Sequence, residues 1–184
     1  MGRRINSGLA TGIRGQVSIE NYELDSKLKE QANDTLSSVS LVSESDYKIL
    51  NDAKVKYNKA DVIFVTHDSG GQLIWLEKGN EKTGLNHILA RHANDFANKH
   101  GVAKNEIHSH INSIIKNGKL EYSKVTQRNG RNCYERLYSK SGKYYLQTGV
   151  GLNGYMVSAY PISEKEALAL IRRNKKWKIK LYWI

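Results

Sequence analysis

The chain has 184 residues, with 29 Lys and Arg against 18 Asp and Glu and a formal net charge of +11. At 39% hydrophobic and 26% charged it can build a core and does not read as a disordered tail. A single cysteine, Cys133, excludes an internal disulfide framework and a cysteine-clustered zinc site, and no stretch reaches the roughly 20 apolar residues of a membrane span.

Residues 1–19, rich in Gly, Arg and Ser, predict a flexible leader without the apolar run of a secretory signal. Polar helices are expected over 20–38 and 44–57, each with a thin apolar stripe: Tyr22, Leu24, Leu28 and Leu36, then Tyr47, Ile49 and Leu50. The β-branched run at 61–67, the turn Asp68-Ser-Gly-Gly71 and the apolar run at 72–77 predict a hairpin. A boundary near residue 60 is therefore expected. It separates a leader and helical entry or linker segment (1–60) from a functional domain (61–184).

Thr83 predicts the cap of a helix over about 84–98, with Leu85, Ile88, Leu89 and Phe96 as its buried stripe. A second helix is expected over 104–117, with Ile107, Ile111, Ile114 and Ile115 inward. Strands follow at 120–126, 132–138, 143–150 and 155–162, separated by short Gly-containing turns. Ser163 with Glu166 predicts a capped helix through about Arg173, and 177–184 alternates like a last strand. The expected class is α+β: N-terminal helices followed by a twisted antiparallel β-sheet meander.

The charge is unevenly spread. Residues 1–115 carry 14 basic and 14 acidic side chains, whereas residues 116–184 carry 15 basic and only four acidic ones. Tyrosines are interleaved with those lysines and arginines, a composition suited to phosphates and unpaired bases, although a solvated basic face reads the same way.

At 100° per residue, His92 falls on the apolar stripe of the 84–98 helix, while His87 and Arg91 share its polar face at i,i+4 spacing. Taken singly, His92 reads as a core histidine, and His87 and Arg91 as solvated helix residues. Two histidines bracketing an arginine within six residues are also the set that acid–base work on a phosphate needs. In the last strand of the meander, strict alternation places Met156, Ser158 and Tyr160 on one side. Thr148, Arg131, Arg136, Asn153 and Tyr155, spread over the basic meander, are candidate substrate contacts. His108-Ser-His110 has the wrong spacing for a metal site on a helix, Gly149-Val-Gly-Leu-Asn-Gly154 reads as a hairpin turn, and Cys133 reads as structural.

Gly84-Leu-Asn-His-Ile-Leu-Ala-Arg-His92, followed by a meander ending Asn153-Gly-Tyr-Met-Val-Ser-Ala-Tyr-Pro-Ile162, resembles the barnase–EndoU–colicin–RelE (BECR) superfamily of toxin nucleases. The likeness spans about 72–165 and is greatest to the C-terminal toxins of contact-dependent growth-inhibition and other polymorphic or phage-borne effectors. It implies a barnase/EndoU-like fold and a ribonuclease that needs neither metal nor cofactor and often acts on tRNA. It further implies delivery into the cytoplasm of a target bacterium and a cognate immunity protein, expected to be acidic and bound 1:1. By position, His87, Arg91 and His92 match the helical motif and Ser158 and Tyr160 the closing strand; Ser158 stands where many relatives carry Thr. The acid and base roles of the two histidines stay unassigned. A non-catalytic RNA-binding module and a DNA-acting nuclease are the alternative readings.

Overall fold

The computed structural model describes residues 41–128 and 130–180. The leader, the helix expected over 20–38 and residues 181–184 lie outside the described residues. Helix α1, Glu44–Asp52, starts at a capping box in which Asp46 accepts from the Ser43 amide at 2.8 Å and hydroxyl at 2.7 Å. Strands β1 (Val62–His67) and β2 (Leu73–Glu77) form an antiparallel hairpin. Leu50 of α1 is fully buried in a cluster with Val62 and Trp75, against which Val42, Tyr47, Val55 and Tyr57 pack. The boundary expected near residue 60 runs through this cluster, so residues 41–60 pack as part of the same unit as the strands after them. A thin stripe must bury itself somewhere, and this one does so on the hairpin.

Helix α2, Gly84–Asp95, leaves the hairpin through a tight approach: a Cβ on Gly84 (φ 78°) would lie 2.7 Å from the Glu77 carbonyl. Thr83 sits at the N-cap without a side-chain capping bond; its hydroxyl accepts instead from Tyr155 at 3.1 Å. The helix then widens into one π turn, Phe96–His100, closed by Gly101. After a short 3-10 turn at Lys104–Glu106, helix α3 spans Ile107–Asn117, and Ile107, Ile111, Ile114 and Ile115 are all buried as their i, i+4, i+7, i+8 spacing requires.

Strands β3 (Lys119–Arg128), β4 (Arg131–Lys140), β5 (Tyr144–Gly151) and β6 (Met156–Ile162) form an antiparallel meander in sequence order. The Trp75 amide donates to the Gly154 carbonyl at 3.0 Å, which ties β2 alongside the start of β6. One face of the meander buries Tyr138, Leu146, Val150, Met156 and Ala159. On the other, Leu137, Tyr145 and Ile162 pack with Ala167 of helix α4, Glu164–Lys180. The fold is therefore α+β, but its helices are not strictly N-terminal: a hairpin precedes α2 and a helix follows the meander. The strand expected over 177–184 is corrected over 177–180, where α4 continues helically to Lys180 through a run rich in good helix formers.

A buried lock fastens the hairpin turn to the meander. Asp68, 5% exposed, accepts the Gly70 and Gln72 amides at 2.9 and 3.0 Å through Oδ1. Its Oδ2 accepts from Arg136 and, at 2.8 Å, from the Tyr138 hydroxyl. Burial, the first cause, and the hydrogen bond to Asp68 push the Tyr138 phenol above its ordinary range.

Candidate active site

Helix α2 packs along β6, which brings the helical and strand candidates together. The His92 ring stacks on Tyr160, with centroids 5.0 Å apart and planes 26° from parallel. The His87 ring meets His92 edge-on at 6.1 Å. His92 is half-buried, its side chain 22% exposed, so it sits at the rim of the apolar stripe rather than inside it.

Each imidazole is oriented by a fixed acceptor. His87 Nδ1 lies 2.9 Å from the Glu81 carbonyl oxygen, and a carbonyl only accepts, so Nδ1 carries the hydrogen. His92 Nδ1 lies 3.1 Å from Asp95 Oδ2, which fixes the same tautomer. Both Nε2 atoms are left without a hydrogen-bond partner among the described residues. Asp95 was not among the sequence candidates, although its i+3 position from His92 is a legible helical pairing. Arg91 is exposed and makes no hydrogen bond or ion pair among the described residues.

Ser158 and Tyr160 share the α4 face of β6, where they pair with Gly149 and Gln147 of β5. Met156 does not join them. The register slips between Val150↔Met156 and Gly149↔Ser158, so β6 carries an extra residue there and Met156 turns to the opposite face, where it is fully buried. Strict alternation, the sequence expectation, fails at that bulge.

The five candidate substrate contacts are not brought to this site. Thr148 is 1% exposed and pairs with Arg136 and Ala159, on the face away from Tyr160. Arg136, 6% exposed, is committed to Asp68 and lies 4.7 Å from the Tyr134 ring centroid. Asn153 shapes the β5–β6 turn, its side chain accepting the Tyr155 amide at 3.1 Å and its carbonyl accepting from Trp75 Nε1 at 3.2 Å. Tyr155 packs on Trp75 and donates to Thr83. Arg131 is exposed at the β3–β4 end of the meander, two strands away from β6.

Beside Tyr160 lies a groove of about 430 Å³ between β5, β6 and α4, which no sequence pattern pointed to. Among the described residues no group of three His, Cys, Asp or Glu side chains stands together as a metal site. No described helix is long and apolar enough to cross a membrane. No protein-family model matches the chain, and no curated protein matches it.

Proposed function

We propose that this chain is a metal-independent endoribonuclease of BECR type, a toxin that cleaves RNA through its own 2′-hydroxyl. One observation carries the reading: His87 and His92 stand edge to face 6.1 Å apart, each held by Nδ1 and each presenting an unengaged Nε2. A neutral imidazole takes the 2′-OH proton while the 2′-oxygen forms a bond to phosphorus. The second imidazole, protonated, gives its proton to the departing 5′-oxygen as the P–O5′ bond breaks. The products are a 2′,3′-cyclic phosphate and a 5′-hydroxyl end, and the two histidines have exchanged protonation states. Arg91, on the same helical face as His87, supplies a fork of donors to the phosphate. Tyr160 holds the His92 ring by stacking, and the half-buried Ser158 hydroxyl shares its face.

The resemblance of the helical motif and closing strand to toxin nucleases supports RNA, tRNA in particular, as the substrate. The basic 116–184 segment supports an acidic immunity protein bound 1:1 and fits a toxin delivered into the cytoplasm of a target bacterium. The test is incubation of the full chain with total RNA in excess chelator. Discrete fragments ending in 2′,3′-cyclic phosphate are expected. Intact RNA with a mobility shift would instead identify a non-catalytic RNA-binding module, and cleavage of DNA only on addition of metal a DNA nuclease.

A further inference from the structure

Gln147 is a polar residue at the foot of an apolar wall. It lies in the middle of β5, 9% exposed, paired with Leu137 on one side and Tyr160 on the other. Its side-chain amide has no hydrogen-bond partner among the described residues. A leucine in its place would continue the apolar cluster around Leu137, Ile162 and Leu170, so the amide is a polar group set in an otherwise apolar wall. Gln147 lines the groove beside Tyr160, so its donor and acceptor open into that space rather than into packed core.

The groove has the composition of a site for a flat, polar-edged ligand. Ile162 and Leu170 give it apolar walls, Gln147 supplies one amide with a donor and an acceptor side by side, and exposed Arg173 stands at its margin. Its volume of about 430 Å³ lies within the range of small-ligand sites. Tyr160 belongs to both places: it lines the groove and stacks on His92.

We propose that this groove is a nucleobase subsite, in which Gln147 pairs with the hydrogen-bonding edge of one base of the RNA that the histidine pair cleaves. The inference rests on the ribonuclease reading for its substrate. A glutamine amide makes a bidentate pair with an amino donor beside a ring-nitrogen acceptor, the pattern of adenine. Through the shared Tyr160, the base read in the groove fixes which phosphate reaches His87 and His92.

Two measurements on the full chain test this. Initial rates are taken on short single-stranded oligoribonucleotides that differ in one base next to the cleaved bond, for the wild type and Gln147→Leu. The wild type is expected to prefer one base by about tenfold or more, and Gln147→Leu to lose most of that preference without a fall in thermal midpoint. In parallel, the Gln147 side-chain amide resonances are followed during titration with AMP, GMP, CMP and UMP, and at least one nucleotide is expected to shift them. A base preference that survives Gln147→Leu, or an amide that none of the four nucleotides moves, overturns the subsite. If the wild type cleaves no RNA, the ribonuclease reading falls, and the amide titration alone decides whether the groove takes a base.

Discussion

The molecule carries two pairs of facing histidines, and they have opposite surroundings. His87 and His92 stand on one helix with Nδ1 bound to a carbonyl and a carboxylate, so each keeps Nε2 unengaged among the described residues. His100 and His110 bond to one another, Nδ1 to Nε2 at 3.0 Å, beneath the edges of Phe96 and Tyr144, and His100 Nε2 is buried without a hydrogen-bond partner among the described residues. Burial lowers the His100 pKa to about 4, with His110 and Lys99 adding to the effect, and burial and Lys140 lower that of His110. The Glu106 carboxylate opposes that shift at His110 without offsetting it. An imidazole bound at Nδ1 to an acceptor is prepared to exchange a proton at Nε2; one whose hydrogen bond needs a neutral partner is not. The residue type is the same in both pairs, and the acceptor decides its use.

The largest expected effect separates the pairs by activity. His87→Ala and His92→Ala should each reduce RNA cleavage by on the order of a hundredfold or more, with thermal midpoints close to that of the wild type. His100→Gln and His110→Gln should leave cleavage at neutral pH within about threefold, because neither ring reaches the α2–β6 site. Initial rates and melting curves on the four variants check this. If His92→Ala unfolds the protein while His87→Ala stays active, His92 is a packing residue and the comparison collapses.

Acid should then separate them by stability. The folded-state pKa of His100 lies below the unfolded value of 6.5, so between about pH 6.5 and pH 4 the unfolded chain binds the proton and the folded chain does not. Stability is present above that window and is lost as pH falls through it, by on the order of 1–2 kcal/mol, since solvent contact discounts the full shift. His108, also lowered by burial, acts in the same direction. Urea unfolding measured from pH 7 to pH 4 should show the loss, and the double variant His100→Gln/His110→Gln should show less of it. An equal loss in the double variant would place the acid sensitivity elsewhere.

Much of the scaffold was legible because its signals are local. The α3 stripe of four isoleucines, the meander turns and the Ser163–Glu166 box need only neighbours in sequence, and each stands where its periodicity puts it. What escaped depends on contacts between distant residues. Arg136 looks like a phosphate contact until Asp68, 68 positions away, claims it in the core. Met156 looks like a face-mate of Ser158 until a one-residue slip in the β5–β6 ladder turns it over. The cut at residue 60 failed for the same reason: Leu50 has its partners, Val62 and Trp75, on the far side of it. Of the candidate site, the helix motif and Tyr160 were legible as residue types, whereas the groove and Gln147 emerge only once α4 is laid across the sheet.

The smallest expected effect concerns the acceptor itself. Asp95 holds His92 through Nδ1 at 3.1 Å, with the carboxylate side chain 44% exposed. Asp95→Asn keeps an oxygen that can accept the same hydrogen and removes only the charge, so cleavage should fall by about tenfold or less. Asp95→Ala removes orientation as well and should fall further. Nitrogen chemical shifts of the His92 ring report the tautomer directly, without reference to activity. In Asp95→Asn the hydrogen should stay on Nδ1; in Asp95→Ala the ring should populate both tautomers, because nothing else among the described residues engages either nitrogen. Wild-type activity in Asp95→Ala, or a wild-type tautomer in that variant, would show that His92 owes nothing to its acceptor, and the contrast with His100 and His110 would then rest on burial alone.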